Sequence, residues 1–141
     1  KRIFIQVLKL TKKIDKPVII HSRKAEKDAI EILEKENMKK VVMHCFMGKK
    51  SLIERGIKNQ WFFSIPPIIT RLQHFQLMAD LVPITQILTE TDSPYLAPVA
   101  GERNEPKNVK VTIEEIAKIK KLDKEKVAKI IFNNAKKLFK F

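Results

Sequence analysis

The sequence predicts an α/β fold built on a parallel sheet, on three observations. Four short runs, Val18-Ile19-Ile20, Val41-Val42-Met43, the WFFSI stretch at 61–65 and Ile87-Leu88, alternate with segments of helical spacing, which is the pattern of consecutive βα units. The runs are apolar nearly throughout rather than every second residue, as strands covered on both faces are. At 141 residues and 44% hydrophobic, the chain has the size and the apolar content to fill the core of one domain, residues 1–141.

The elements follow in order. Residues 3–14 carry Ile3, Phe4, Val7, Leu8, Leu10 and Ile14 at helical spacing. No capping residue precedes them, so the chain reads as starting inside an element. Pro17 breaks that helix and opens the first strand. Residues 24–37 return to helical spacing with Ala25, Ala29, Ile32 and Leu33 on one face, and a second strand lies within 40–45. KKSLIERGIK (49–58) is a third helix, followed by the third strand, which Pro66-Pro67 stops. Residues 71–81 form a fourth helix through Leu72, Phe75, Leu77, Met78 and Leu81, and the fourth strand lies within 86–91. Three prolines and a glycine make 93–109 a long loop. Thr112 with Glu115 has the form of a capping box ahead of Ile116, Ala117 and Ile119. Asp123 caps a further helix through Val127, Ala128, Ile130 and Ile131, with 134–139 as its tail or a last short helix.

Composition narrows the function classes. No apolar run approaches the roughly 20 residues of a membrane span, and the opening KRIFIQVLKL leads straight into charge, unlike a secretory signal. A single cysteine, Cys45, allows no internal disulfide, which points to a reducing cytoplasm. Lys and Arg number 29 against 16 acidic residues, a net charge of +13, which suits a polyanionic partner. Many of the lysines fall on helix faces (Lys35, Lys39, Lys118, Lys120, Lys129, Lys136), where they also serve simply as a solvated surface.

The informative feature is how the strands end. KPVIIHSR (16–23) carries an apolar run to His21, Ser22 and Arg23. The second strand ends in His44-Cys45-Phe46 and the fourth in Asp92-Ser93-Pro94. In open α/β sheets and in β/α barrels, sites are built beyond the C-terminal ends of the strands, from several strands at once. One histidine in such a place is usually a hydrogen-bonded structural residue. Two histidines and an aspartate at one rim point to a bound cation: zinc, manganese or iron, or magnesium where oxygen ligands dominate. Strand alternation turns Cys45 away from the side His44 faces, so it is expected to be a packed thiol. Glu90 shares a face with Asp92 and is either a support beneath the site or an ordinary strand carboxylate. His74, in mid-helix, is expected at the surface or in helix packing.

IHSR (20–23), HCFMG (44–48), ETDSPYLAP (90–98), RNEP (103–106) and NNAKKLF (133–139) together, in order and in approximate spacing, resemble the TatD family of metal-dependent DNases from about residue 4 to the end. The resemblance implies a β/α (TIM-type) barrel of the amidohydrolase-like hydrolases, with one or two divalent cations: zinc, magnesium or manganese. It implies metal ligation by His21, His44 and Asp92, with Asp92 also placed as general base, and substrate phosphate contacts from Arg23 and Arg103. For Arg103, bracing its own loop through Glu105 is an equal alternative. The family's first-strand His-x-His pair and fourth-strand glutamate have no counterpart here, and SIPP (64–67) stands where bacterial members usually have a glycine-containing turn. A complete barrel takes about 250 residues. The expectation is therefore the C-terminal half of a barrel, about four of its parallel strands. Such a half has an apolar interior and open edges, so it should associate as a homo-oligomer or with a missing N-terminal half. The expected activity is hydrolysis of DNA phosphodiesters. The rivals are a non-catalytic basic module binding nucleic acid or a protein, and a metal hydrolase of amides or other esters.

Overall fold

The four apolar runs form one parallel sheet in the order β1-β2-β3-β4: β1 Val18–Ile20, β2 Val41–His44, β3 Phe62–Ile65 and β4 Ile87–Thr89. The computed structural model describes residues 1–141. Val18–Ile20 align with Val41–Met43, Val42–His44 with Phe62–Ser64, and Phe63–Ile65 with Ile87–Thr89. Each strand lies beside the one before it in sequence, as when βα units follow one another round a barrel wall.

The connecting helices are α1 Arg2–Lys13, α2 Glu26–Lys35, α3 Lys50–Lys58 and α4 Gln73–Leu81. Strand alternation sends Ile20, Val41, Met43, Phe63, Ile65 and Ile87 to the helix side, where they form a core with Leu8, Ile30, Leu33, Ile53 and Phe75. Trp61 is fully buried there, and its indole Nε1 donates to the Met38 carbonyl at 2.8 Å, which satisfies the ring's one polar atom. α5 Val109–Lys120 and α6 Lys124–Phe139 complete the chain.

One expectation changes here and one open alternative is decided. α5 starts at Val109 after a 3-10 turn at Pro106–Asn108, so Thr112 is a buried residue inside the helix and not its cap; its hydroxyl oxygen has no partner and Glu115 pairs with Lys118 instead. The segment 134–139 is the tail of one continuous α6, one of the two forms expected for it, and Asp123 caps that helix as expected, accepting from the backbone N–H of Glu125 (2.9 Å) and of Lys126 (3.0 Å).

The inner face of the sheet, the side that would face a barrel's axis, is not left bare. α6 places Val127 and Ile131 in the helix-side core, while Leu138 forms a second cluster with Val42 and Leu88. One helix thus contributes to the cores on both faces. Asn134 anchors it, donating to the carbonyls of Ile84 and Ile87 at 2.8 Å each. Apolar side chains remain exposed at the first strand and helix, as well as at Tyr95, Phe132 and Phe141 among others. Ile3 is 74% exposed and Ile19 60%, with Val7, Leu10 and Ile14 exposed beside them on α1. No helix of the chain is long and apolar enough to cross a membrane.

Candidate metal-binding cleft at the strand ends

A cleft of about 480 Å³ opens beyond the C-terminal ends of the strands, and His21, Arg23, His44, Cys45 and Asp92 line it. Strand periodicity explains the convergence: Ile19 and His21, Val42 and His44, Leu88 and Glu90 are each two residues apart and so share the inner face. At that end the apolar floor of Val42 and Leu88 gives way to polar groups.

His44 is the best-defined of these groups. Its Nδ1 contacts Glu90 Oε2, and the Ser64 hydroxyl donates to the same oxygen at 2.6 Å. Ser64 is paired with His44 in the β2–β3 register, which puts the hydroxyl in place. With Nδ1 bonded inward, Nε2 faces outward, and Asp92 Oδ1 lies 3.8 Å from it. The ring of His21 stands alongside, its centroid 5.6 Å from that of His44. Side-chain exposure rises outward along this line: 13% for Glu90, 22% for His44 and 44% for Asp92. Asp92, like the exposed His21, therefore lies on the solvent side of the group. It holds a left-handed backbone, φ +56°, which aspartate tolerates better than most residues, and such conformations gather at functional sites.

Burial pushes the Glu90 carboxyl above the usual range, with the negative charge of Asp92 adding to it, against the Ser64 and His44 bonds that favour the anion. Its second oxygen, Oε1, is buried with no partner. An excess of negative charge held partly out of water, beside an outward imidazole nitrogen, is an environment that favours a cation. Two ligands of a tetrahedral ion at 2.0–2.1 Å bond lengths lie about 3.4 Å apart, so the 3.8 Å gap between His44 Nε2 and Asp92 Oδ1 closes with a small side-chain movement. No three His, Cys, Asp or Glu side chains surround a single point closely enough to enclose an ion. Only His44 Nε2 and Asp92 Oδ1 come within reach of a shared ion, with the His21 ring alongside, so this chain by itself offers at most part of a ligand set.

One expectation is revised and one pair of alternatives is narrowed. Cys45 is packed against the helix-side core as expected but also lines the cleft, because β2 ends at His44 and Cys45 takes φ +43°, which leaves the pleat where alternation applies. Burial, then the charges of Glu90 and Asp92, push its thiol up to about 12, so it remains protonated at neutral pH. Arg103 is exposed and outside the cleft lining, whereas Arg23 is within it; the positive charge of Arg103 acts on Glu105, in line with the loop-bracing alternative. The RNEP motif instead contributes Asn104. This buried side chain donates to the carbonyls of Thr91 (2.6 Å) and Tyr95 (2.7 Å), while its oxygen accepts from Glu105 N and Asn108 Nδ2, clasping the loop that carries Asp92. The roles of Ser64 and Asn104 were absent from the sequence reading, because each depends on a partner brought near by folding. His74, as expected, has a packing role: its Nε2 contacts the Phe46 carbonyl at 2.9 Å.

Comparison with known proteins agrees with this geometry. The sequence matches the TatD-related DNase family over residues 1–140. It is 38% identical over 139 residues to deoxyribonuclease TATDN3 of Homo sapiens, covering 99% of this chain and 51% of that protein. It is 36% identical over 140 residues to the uncharacterized metal-dependent hydrolase MJ1582 of Methanocaldococcus jannaschii, covering 99% and 55%. The fold superposes on the crystal structure of YjjV, a TatD homolog from Escherichia coli, with a TM-score of 0.84 at 26% identity, over 95% of this chain and 54% of that one. The chain spans about half the length of these relatives, and its four parallel strands correspond to that part of their TIM-type barrel. With the family's motifs in register along nearly all of its length and the same half-barrel architecture, this chain belongs to the TatD-related DNase family.

Proposed function

We propose that the protein is a divalent-metal-dependent hydrolase that cleaves phosphodiester bonds of DNA, and that this chain carries part of its metal site. The observation that carries the reading is the Ser64–Glu90–His44 relay, which turns His44 Nε2 outward toward Asp92 at the mouth of the sheet. A histidine whose other nitrogen is held by a carboxylate is the usual form of a metal-ligating imidazole. The name of the TATDN3 relative and the net charge of +13 favour DNA over amides or other esters.

In this reading His21 and His44 supply neutral nitrogens to the cation, and Asp92 supplies an oxygen. The cation, when bound, provides Lewis acidity at the phosphoryl oxygen and lowers the pKa of a coordinated water. Asp92, on the solvent side of the relay, orients the attacking water and accepts its proton at a carboxylate oxygen. Arg23, in the cleft wall, pairs with a substrate phosphate. Zinc, magnesium and manganese all suit the reading. An Asp92→Asn substitution, tested in the longest form of the protein that can be expressed, is expected to remove most DNA hydrolysis and leave the thermal midpoint near wild type. Unchanged turnover would contradict the assignment, and faster hydrolysis of amides than of DNA would favour the rival substrate class.

The open surface of Ile3, Val7, Leu10, Ile14 and Ile19 supports association, either with the rest of a barrel or with a second copy. Because no three ligands enclose an ion, the isolated chain is expected to bind metal weakly and to show little activity. Light scattering on the isolated chain should show self-association at micromolar concentration. A well-folded monomer there would count against this part of the proposal.

A further inference from the structure

The end of the sheet opposite the cleft gathers lysines from several elements. In a βα layer each strand begins, and each helix ends, at that same end. Lys16 immediately precedes Pro17 and β1, Lys39 and Lys40 precede β2, and Lys137 and Lys140 close α6. From Lys40 to His44 is four strand residues, or about 13 Å at about 3.3 Å each, so this face is separate from the cleft. It holds two adjoining depressions, of about 430 Å³ and about 210 Å³, which share Lys39 and Lys40. Lys137 lines the larger, and Lys12, Lys16 and Asp15 line the smaller. Lys140, beside them, reaches Asp15 at 3.0 Å. Six lysines thus gather around one lining carboxylate, Asp15, and Lys12 Nζ also donates to the backbone carbonyl of Glu36 at 2.9 Å.

Ordinary structural roles account for only part of this. Lys12 and Lys137 sit in the last turns of α1 and α6, where a cation offsets the helix dipole. Lys40 and Lys140 pair with Asp15, whose carboxyl their hydrogen bonds hold down at about 2. Lys16 and Lys39 lie outside any helix, and Lys16, Lys39 and Lys137 have no acidic partner among the ion pairs. Few of the lining residues are hydrophobic: Phe62 and Leu138 in the larger depression, Met38 in the smaller, so the remaining apolar surface comes from the stems of polar and charged side chains. Protein interfaces have an apolar or aromatic centre, whereas a polyphosphate backbone needs only cations and polar donors.

We propose that this basic face, formed by Lys16, Lys39, Lys137 and their lysine neighbours, binds the sugar–phosphate backbone of a nucleic-acid segment lying outside the catalytic cleft. It is a sequence-independent contact on the far side of the sheet, which holds nucleic acid to the protein whether or not a metal is bound. It rests on charge and shape alone and stands apart from the catalytic reading.

The test is metal-free binding of a fluorescein-labelled 30-nucleotide single strand, followed by anisotropy in EDTA across a salt series. The triple variant K16Q/K39Q/K137Q is compared with K110Q/K124Q/K129Q, which removes the same charge from exposed positions on α5 and α6. Three lost phosphate contacts should lower the slope of log K against log salt by about 2 for a single strand, at roughly 0.7 per contact. The control triple should lower it by less than one. Equal slopes for the two triples, or no change in either, would overturn the proposal. So would binding of poly-L-glutamate of matched length as tightly as DNA and with the same sensitivity to the first triple. Circular dichroism confirms that both triples fold, and because metal is absent, loss of nuclease activity does not enter the result.

Discussion

Replacing Glu90 with glutamine tests whether this carboxylate sets the chemistry of His44. Glu90 Oε2 receives the Ser64 hydroxyl and contacts His44 Nδ1, while Oε1 is buried without a partner. Glutamine has the same shape but must place its amide nitrogen at one of these two positions. At the Oε1 position its two N–H groups have no acceptor, at a cost of about 1–3 kcal/mol. At the Oε2 position the nitrogen donates to Ser64 Oγ and to His44 Nδ1, and both can accept. That arrangement moves the His44 proton to Nε2 and so caps the lone pair aimed toward Asp92. In the second arrangement the amide oxygen takes the Oε1 position, unpartnered as a carboxylate oxygen is in the wild type, so no new orphan is created and the variant should adopt it. The predicted outcome is therefore a change of tautomer with a small change in stability, and a loss of about 10–100-fold in metal affinity. Imidazole ¹⁵N–¹H correlation spectra of metal-free protein read the tautomer directly, and competition with a chromophoric chelator reads the affinity. The reasoning fails if wild-type His44 carries its proton on Nε2. It fails equally if Glu90→Gln changes neither the tautomer nor the affinity.

Two further predictions concern the scaffold. Asp123→Ala removes the acceptor for two N–H groups at the start of α6 and should lower stability by about 1 kcal/mol, seen as a lower urea midpoint; no change would mean that α6 is held by its packing alone. Asp15 has a folded pKa of about 2, below its ordinary value of about 3.9, because Lys40 and Lys140 hydrogen-bond it. It therefore contributes stability above about pH 4 that is lost as pH falls toward 2, and Asp15→Asn should flatten stability against pH in that window alone. A parallel shift at all pH values would assign the effect to packing.

The elements were legible in the sequence because their causes are local. Branched apolar runs, the Pro17 and Pro66-Pro67 breaks and the Asp123 cap act within a few residues, and each strand lies where its apolar run does. The errors were local signals overridden by packing. Thr112 and Glu115 have capping-box spacing, but the helix already begins at Val109 and buries Thr112. Cys45 follows His44 as if in a strand, but the backbone turns to φ +43° and brings it into the cleft.

What the sequence by itself determined is that His21, His44 and Asp92 end strands of one parallel sheet, since strand period and βα alternation carry each of them to the same rim. Only the tertiary structure decided which groups act on them. Glu90 meets His44 across 46 residues and Ser64 across 26, Asn104 clasps the Asp92 loop, Arg23 enters the cleft and Arg103 does not. The same holds for α6, whose Leu138 reaches the inner face that a bare half-sheet would expose. These contacts depend on the twist and register of the sheet and on how far a loop extends before it turns back. Both arise from packing across the whole chain, and no window of neighbouring residues contains them.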